Sequence, residues 1–342
     1  MNKLSGLVLA TLLAGCVGSL ETAPRAAAAG GPIIAVDADF PDPAVIRAED
    51  GYYYAYATQG QIDGQMRNIQ IARSRDLARW ELRGDALPVK PGWASKTQDF
   101  WAPHVAQHGD RYLLYYSAKP DAALADTTRG LCLAVASADR PEGPFTDMGH
   151  PLLCGDGFIN IDPMSYEDPA TGRPLLYWGS GFGPIKVQEL AEDRMSFAPG
   201  SSPVSLVEVV KTDDPTNYRR LVEGAWVVLK DGWYYLFFSG DNCCGPNAHY
   251  AVMVARSRSA TGPFEIKPEN GGVILEASPQ WNAPGHNSVI EDERGEAHIL
   301  YHAVDVRRPR SKPTDDINSR RIMLVDRLVW RNGWPEVGAA AR

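Results

Sequence analysis

Five aromatic-rich segments recur along the chain at a nearly constant interval, and no other feature restricts its fold as tightly. GYYYAYAT (51–58), RYLLYYSA (111–118), RPLLYWGS (173–180), GWYYLFFS (232–239) and EAHILYHA (296–303) each run apolar for the length of a strand, with a small or polar residue at or near the end. A shorter strand pattern precedes each: DPAVI at 42, APHVA at 102, DPMSY at 162, EGAWVV at 223 and HNSVI at 286. A third follows each: IQIARS, LCLAVAS, IKVQEL, YAVMVARS and RIMLVD. A fourth often comes next and ends in an aromatic, as at Trp80, Phe145, Phe264 and Trp330. Successive first strands are spaced by 60, 60, 61 and 63 residues. A unit of this size cannot cover both faces of its own sheet, so neighbouring units must stack and the array must close on itself. The pattern predicts an all-β fold, a five-bladed β-propeller with four antiparallel strands per blade, occupying residues 33–338. Ile33 to Val36, ahead of the first repeat, is expected to supply the outer strand of the last blade.

Composition narrows the function more than the fold. The chain has 342 residues and a formal charge of −8, with no basic block, which excludes the electrostatic footprint of a nucleic-acid binder. MNKLSGLVLATLLAGC at the start places Lys3 before an apolar stretch too short to span a bilayer, as a secretory signal does. Leu13 to Cys16 (LAGC) resembles the bacterial lipobox, in which the cysteine becomes the lipid-bearing first residue, and cleavage within residues 26–29 is the alternative. Both imply export, as a lipid-anchored protein or as a periplasmic or secreted one. Residues 17–32 read as a flexible tether, and the propeller as a monomer. Cys132, Cys154, Cys243 and Cys244 then lie in an oxidising compartment. A Cys132–Cys154 bridge is open; Cys243 and Cys244 are expected not to pair with each other, because bridging adjacent residues is strained. The chain has no CxxC pair and no HExxH, the usual zinc signatures.

In a propeller the first strand of each blade lines the central axis, so the aligned positions form one ring: Asp42, Ala102, Asp162, Glu223 and His286. Three carboxylates gathered at an axis repel one another and lose hydration, a cost that a purely structural role does not explain. Two carboxyls flanking a bond are the equipment of glycoside hydrolysis, one protonated to serve the leaving oxygen and one ionised to act on water. A third negative charge beside the acid helps it keep its proton. His286 faces the same axis, where it is placed to hold a water or a metal ion.

FPDPAVIR, WAPHV, IDPMSY followed by LLYWGS, VEGAWVVLKDGWYYLFFS and PGHNSVI, in that order, resemble the successive blade motifs of glycoside hydrolase family 43. The resemblance runs from Ile33 to Val337. It implies an inverting hydrolase of α-L-arabinofuranosyl or β-D-xylosyl linkages in plant-type polysaccharides or oligosaccharides. By position, Asp42 resembles the general base, Glu223 the general acid and Asp162 the residue that tunes the acid. His286 resembles an axial histidine that approaches a bound calcium or similar ion, although PGHN stands here where many relatives have PGHG. Trp101 in FWAPHV, and Phe40 beside the base, are candidates to stack on a sugar ring, because aromatic faces suit the apolar side of a sugar, with a plain core aromatic as the alternative for each. Arg321, or its neighbour Arg320, resembles an arginine directed at substrate hydroxyls. The adjacent Cys243 and Cys244 resemble pairs in arabinan-cleaving members, which supports a part in shaping a cleft loop. Arabinose-containing substrates, arabinan or arabinoxylan, are the preferred reading and β-D-xylosidase the rival. A non-catalytic carbohydrate-binding propeller would not need all three acids. A retaining fructan-type hydrolase would carry an Asn-Asp-Pro-Asn signature that FPDPAV lacks.

Overall fold

The computed structural model describes residues 31–126, 129–310 and 319–338. The signal-like start, Cys16 and most of the segment expected to be a tether lie outside the described residues.

Five antiparallel sheets follow the five repeats. The first blade consists of Ala44–Arg47, Tyr53–Ala57, Gln70–Ser74 and Glu81–Asp85, and the third of Met164–Glu167, Pro174–Trp178, Ile185–Glu189 and Val204–Val207. In the second blade Phe100–His108, Arg111–Ala118 and Cys132–Ala138 are followed by an outer edge split into Thr146–Asp147 and Leu153–Cys154. The fourth repeats that plan with Glu223–Lys230, Trp233–Asn242, His249–Ser257 and an outer edge of Glu265–Ile266 and Val273–Leu275. The fifth contains Trp281–Glu291, Ala297–Asp305 and Arg321–Arg331, and its outer edge is Ile33–Val36, paired antiparallel through Ile33 with Val325 and Ile34 with Leu324. The first strand of the chain thus closes the ring, as its place ahead of the first repeat predicts. The outer-strand aromatics behave differently from expectation: Trp80, Phe145 and Phe264 sit just before their strands instead of ending them. Trp80 and Phe145 are buried there, filling the bend into the blade's edge.

The second strands read as continuous apolar runs because both of their faces are covered. Side chains alternate with a period of two, so Tyr54 and Tyr56 pack toward the second blade while Tyr53, Ala55 and Ala57 pack toward the fifth. In the second blade Leu114 and Tyr116 face back while Leu113 and Tyr115 face the third. Burying so many tyrosines requires partners for their hydroxyls. Tyr56 donates to the Pro141 carbonyl, Tyr116 to Asp147, Tyr177 to the Ala260 carbonyl and Tyr301 to Asp326.

The axial ends of the blades are joined by a repeated contact. Asp42, Ala102, Asp162, Gly224 and His286 all have positive φ, between 46° and 65°. That region disfavours residues with a Cβ, so four of the five positions hold it against local preference. In each of these four, the turned amide donates to a polar side chain in or just after the preceding blade's second strand: Ala102 to Thr58 Oγ1 (2.8 Å), Asp162 to Ser117 Oγ (3.1 Å), His286 to Ser239 Oγ (2.8 Å) and Asp42 to His302 Nδ1 (3.1 Å). The fourth blade departs from the others. Its turned residue is Gly224, so Glu223 stands one position before the ring that sequence spacing assigned to it. Ser180, which holds the hydroxyl of that seam, donates to the Glu223 carboxylate, and the Gly224 amide goes to Asp162 Oδ2 at 3.2 Å.

Cys132 and Cys154 are joined, with directly paired positions on neighbouring strands. Cys243 and Cys244 are joined as well, which corrects the expectation that adjacent cysteines stay apart; they lie in the turn that follows Trp233–Asn242.

A buried donor that loses its acceptor costs about 1–3 kcal/mol. Ser117→Ala, at a fully buried position, is therefore expected to destabilise the protein by about that amount. The check is the midpoint of urea unfolding; an unchanged midpoint would refute the structural weight given to the inter-blade bond.

Candidate active site

Because the first strands run out to the axis, the side chains of Asp42, Asp162, Glu223 and His286 meet there, Asp42 and Asp162 buried and Glu223 and His286 partly exposed. His286 Nδ1 lies 3.5 Å from Asp42 Oδ1 and 3.7 Å from Asp162 Oδ2. The imidazole rests on Gly224: a Cβ at that glycine would sit 3.3 Å from the ring. Glycine at 224 therefore serves both the turned backbone and the packing of His286.

Asp42 accepts from the Thr58 hydroxyl at 2.5 Å and from Arg321 Nη1 at 3.1 Å, and lies 3.2 Å from His302 Nδ1. Burial alone would raise its pKa, but the Arg321 guanidinium, followed by His286 and His302, outweighs burial and holds the carboxyl well below its usual range. Burial keeps both histidines toward the neutral form, His302 at about 4. The permanent charge of Arg321 therefore does most to keep Asp42 ionised near neutral pH.

Asp162 and Glu223 behave oppositely. Burial, then the charges of Glu223 and Asp42, push Asp162 well above its ordinary value. Burial also raises Glu223, although hydrogen bonds from Ser180 and from the Tyr250 hydroxyl (2.8 Å) favour its ionised form. The two acids are electrostatically linked and titrate as a pair, and a pair of this kind retains a proton at a pH where isolated carboxyls have lost theirs. Within one cavity the protein thus keeps one carboxylate ionised and a neighbouring pair partly protonated. That is the acid and base complement of a hydrolase.

The other candidate residues divide. Arg321 reaches Asp42, whereas Arg320 turns away to the Asp37 carbonyl and carboxylate, so Arg321 is the member of the doublet at the axial site. Trp101 is half-buried and stacks on the exposed Phe158, with ring centroids 6.1 Å apart and planes at 20°. Phe40 must be corrected: it is fully buried among Val36, Val45, Tyr53 and Met323, with no face left for a sugar. Its neighbour Asp39, partly exposed, accepts the Arg321 backbone amide at 2.9 Å. Thr58, Ser180, Tyr250 and His302 were also missed. Thr58, Ser180 and His302 share one signal, the polar residue with which the aromatic strands end, which had no assigned role.

The calcium implied for His286 meets a sparse donor set. The axial cavity beside it, of about 10 Å³, has room for about one water. Its polar lining is His104, Asp162, His286 and Asn287, among prolines, Ala44, Ala225, Met164 and Trp226. Calcium takes about six to eight oxygens, so one carboxylate and one amide oxygen do not make a site by themselves. Among the described residues, the group with metal-ligand spacing is Asp292, Glu296 and His298, whose two carboxylates are already bridged by Arg294.

The sequence profile of glycosyl hydrolases family 43 matches residues 30–335. The chain is 28% identical over 308 residues to the extracellular endo-α-(1→5)-L-arabinanase 1 of Bacillus subtilis, covering 86% of each chain. It is 25% identical over 321 residues to the extracellular exo-α-(1→5)-L-arabinofuranosidase of Cellvibrio japonicus, covering 87% of this chain and 86% of that one. Among solved structures, the endo-arabinanase of Bacillus licheniformis superposes with a TM-score of 0.69 at 26% identity, over 88% of this chain and 98% of that one.

The electrostatics carry a stability consequence with a definite sign. Asp162 binds its proton more tightly folded than unfolded, so its favourable contribution is present at low pH and is lost as pH rises through its raised pKa. Asp42 has the opposite sign, its contribution being lost only as pH falls through its depressed pKa. Asp162→Asn removes the first dependence and leaves the second. The variant should therefore gain stability over the wild type as pH rises from 5 to 8, by at most about 1.4 kcal/mol per pH unit. Parallel melting temperatures across that range test this; curves that stay a constant distance apart would rule it out.

Proposed function

The chain belongs to glycosyl hydrolase family 43, and from that premise we propose that it is an exported, inverting hydrolase of α-L-arabinofuranosyl linkages in arabinan or arabinoxylan. The observation that carries this reading is the convergence of Asp42, Asp162 and Glu223 on one axial cavity, with opposite protonation bias of Asp42 and of the Asp162–Glu223 pair. The arabinosyl specificity rests on the likeness to the two arabinan-directed relatives.

Asp42, ionised beside Arg321, accepts a proton from a water as that water attacks the anomeric carbon. Glu223 delivers a proton to the departing glycosidic oxygen. Both Glu223 oxygens accept hydrogen bonds, from Ser180 and Tyr250; when Glu223 is protonated its hydroxyl oxygen can still accept, which leaves the O–H free for the glycosidic oxygen. Asp162 shares the pair's proton and holds the Gly224 amide, which fixes the backbone beside Glu223. Arg321 fixes the Asp42 carboxylate and directs remaining donors at sugar hydroxyls. Trp101, braced by Phe158, offers its face to a sugar ring. No step is assigned to a metal ion.

The reading is tested by following hydrolysis of an arabinofuranoside by NMR in its first minutes, with a product profile on debranched arabinan, arabinoxylan and xylo-oligosaccharides. Arabinose should appear first with inverted configuration; retained configuration would recast Asp42 as a nucleophile. Asp42→Ala should lower kcat by about 10²–10⁴-fold on every substrate. Glu223→Ala should do the same on natural glycosides and much less on aryl glycosides, whose leaving group needs little protonation.

Export rests on the signal-like start, the fit of two disulfides to an oxidising compartment and the likeness to extracellular relatives. With Cys16 as the lipid-bearing residue, Cys16→Ser should move the protein from the membrane to the soluble fraction. A wild-type protein already soluble, with a mature N-terminus within 26–29, would favour ordinary secretion.

A further inference from the structure

Four of the five seams between blades end in a hydroxyl: Thr58, Ser117, Ser180 and Ser239. The fifth, which closes the ring against the blade carrying Asp42, ends in an imidazole. His302 is fully buried, and its Nδ1 lies 3.1 Å from the Asp42 amide nitrogen and 3.2 Å from Asp42 Oδ1. In accepting the Asp42 amide hydrogen, Nδ1 is the unprotonated ring nitrogen and holds the backbone of the residue read as the base, with that residue's carboxylate close beside it. The face of the same ring lies parallel to Tyr250, with centroids 5.8 Å apart and planes at 4°. Tyr250 in turn donates its hydroxyl to Glu223 Oε1 at 2.8 Å.

The seam is built to allow this stack. Gly285, directly paired with His302 in the sheet, has no room for a side chain: a Cβ there would lie 2.0 Å from Tyr250 Cδ1. Glycine at 285 therefore lets the tyrosine ring of the fourth blade come close against the fifth. The requirement is steric, because Gly285 does not have positive φ. Packing explains a large ring at 302, but not why its nitrogen meets Asp42, since serine satisfies the equivalent amide at two of the other seams.

We propose that His302 is a positioning residue that sets Asp42 and Glu223 relative to each other, holding the base through Nδ1 and the acid through its stack on Tyr250. It rests on the hydrolytic reading above. A hydroxyl at this place would hold the Asp42 backbone but would leave the ring of Tyr250 unsupported. His302 has no part in transferring a proton to or from the substrate; its contribution is geometric and falls on turnover.

The test compares His302→Ser, His302→Asn and His302→Gln with the wild type on an arabinofuranoside, with a melting curve for each. The serine variant, which reproduces the other seams, should keep a cooperative melting transition and a KM within about threefold, while kcat falls by about 10²-fold, the scale of a misplaced reacting group. Asparagine places a polar atom where His302 has Nδ1, whereas glutamine places one where it has Nε2. Asparagine should therefore recover at least tenfold more kcat than glutamine. If the serine variant fails to fold, the asparagine–glutamine comparison carries the test alone. An active wild type with unchanged kcat in the serine variant, or with glutamine rescuing as well as asparagine, overturns this inference and leaves the hydrolytic reading standing. A wild type inactive on every arabinosyl substrate overturns the hydrolytic reading itself, and this inference with it.

Discussion

One hydrogen bond, repeated around the axis, organises this protein. An amide at the start of each blade's first strand, turned into positive φ, points away from its own sheet and toward the blade before it. A sheet edge at a channel would otherwise expose unpaired donors, and buried donors are costly to leave unpaired. The bond solves that problem and, by bending the strand, also aims the adjoining side chains at the axis. Fold closure and active-site assembly are therefore consequences of the same backbone geometry. Where chemistry demands an exception, at the fourth blade, Gly224 takes the turn and the Ser180 hydroxyl is released to hold Glu223.

The acids gathered there oppose the fold. Asp162 and Glu223 lie close to each other and to Asp42, and Arg321 brings a permanent positive charge to the cavity. Removing charged groups from water is expensive, and the site lowers that cost by letting the pair share a proton. The rest of the molecule compensates through its aromatic second strands, whose alternate residues fill the spaces to both neighbouring blades. Strain and buried charge concentrate where binding and catalysis need rigid, perturbed groups.

Several site residues could not be read from the chain because their roles depend on the space around them. Phe40 stands two residues before Asp42, yet the closing strand and the first blade bury it completely. Arg320 and Arg321 are indistinguishable as neighbours in sequence, but at the entry to the strand Arg321–Arg331 one side chain goes to Asp37 and the other to Asp42. Cys243 and Cys244 are linked because the turn after the fourth blade's second strand holds them so. The polar residues ending the aromatic strands were visible in the repeats, but their partners lie one blade away.

Periodicity alone determined the five blades, the four-stranded plan, the closing strand Ile33–Val36 and the convergence of three acids, because alternation and repeat length are properties of neighbouring residues and survive without knowledge of contacts. What tertiary structure decided is finer and concerns seams. It set Glu223 one position off the ring, chose Arg321 as the partner of Asp42, and brought His302 and Tyr250 between the two carboxylates. Each of these depends on distances between residues far apart in sequence, where a shift of one position reverses the direction of a side chain. No local pattern encodes such a shift; only the closed ring, with its blades packed against one another, fixes it.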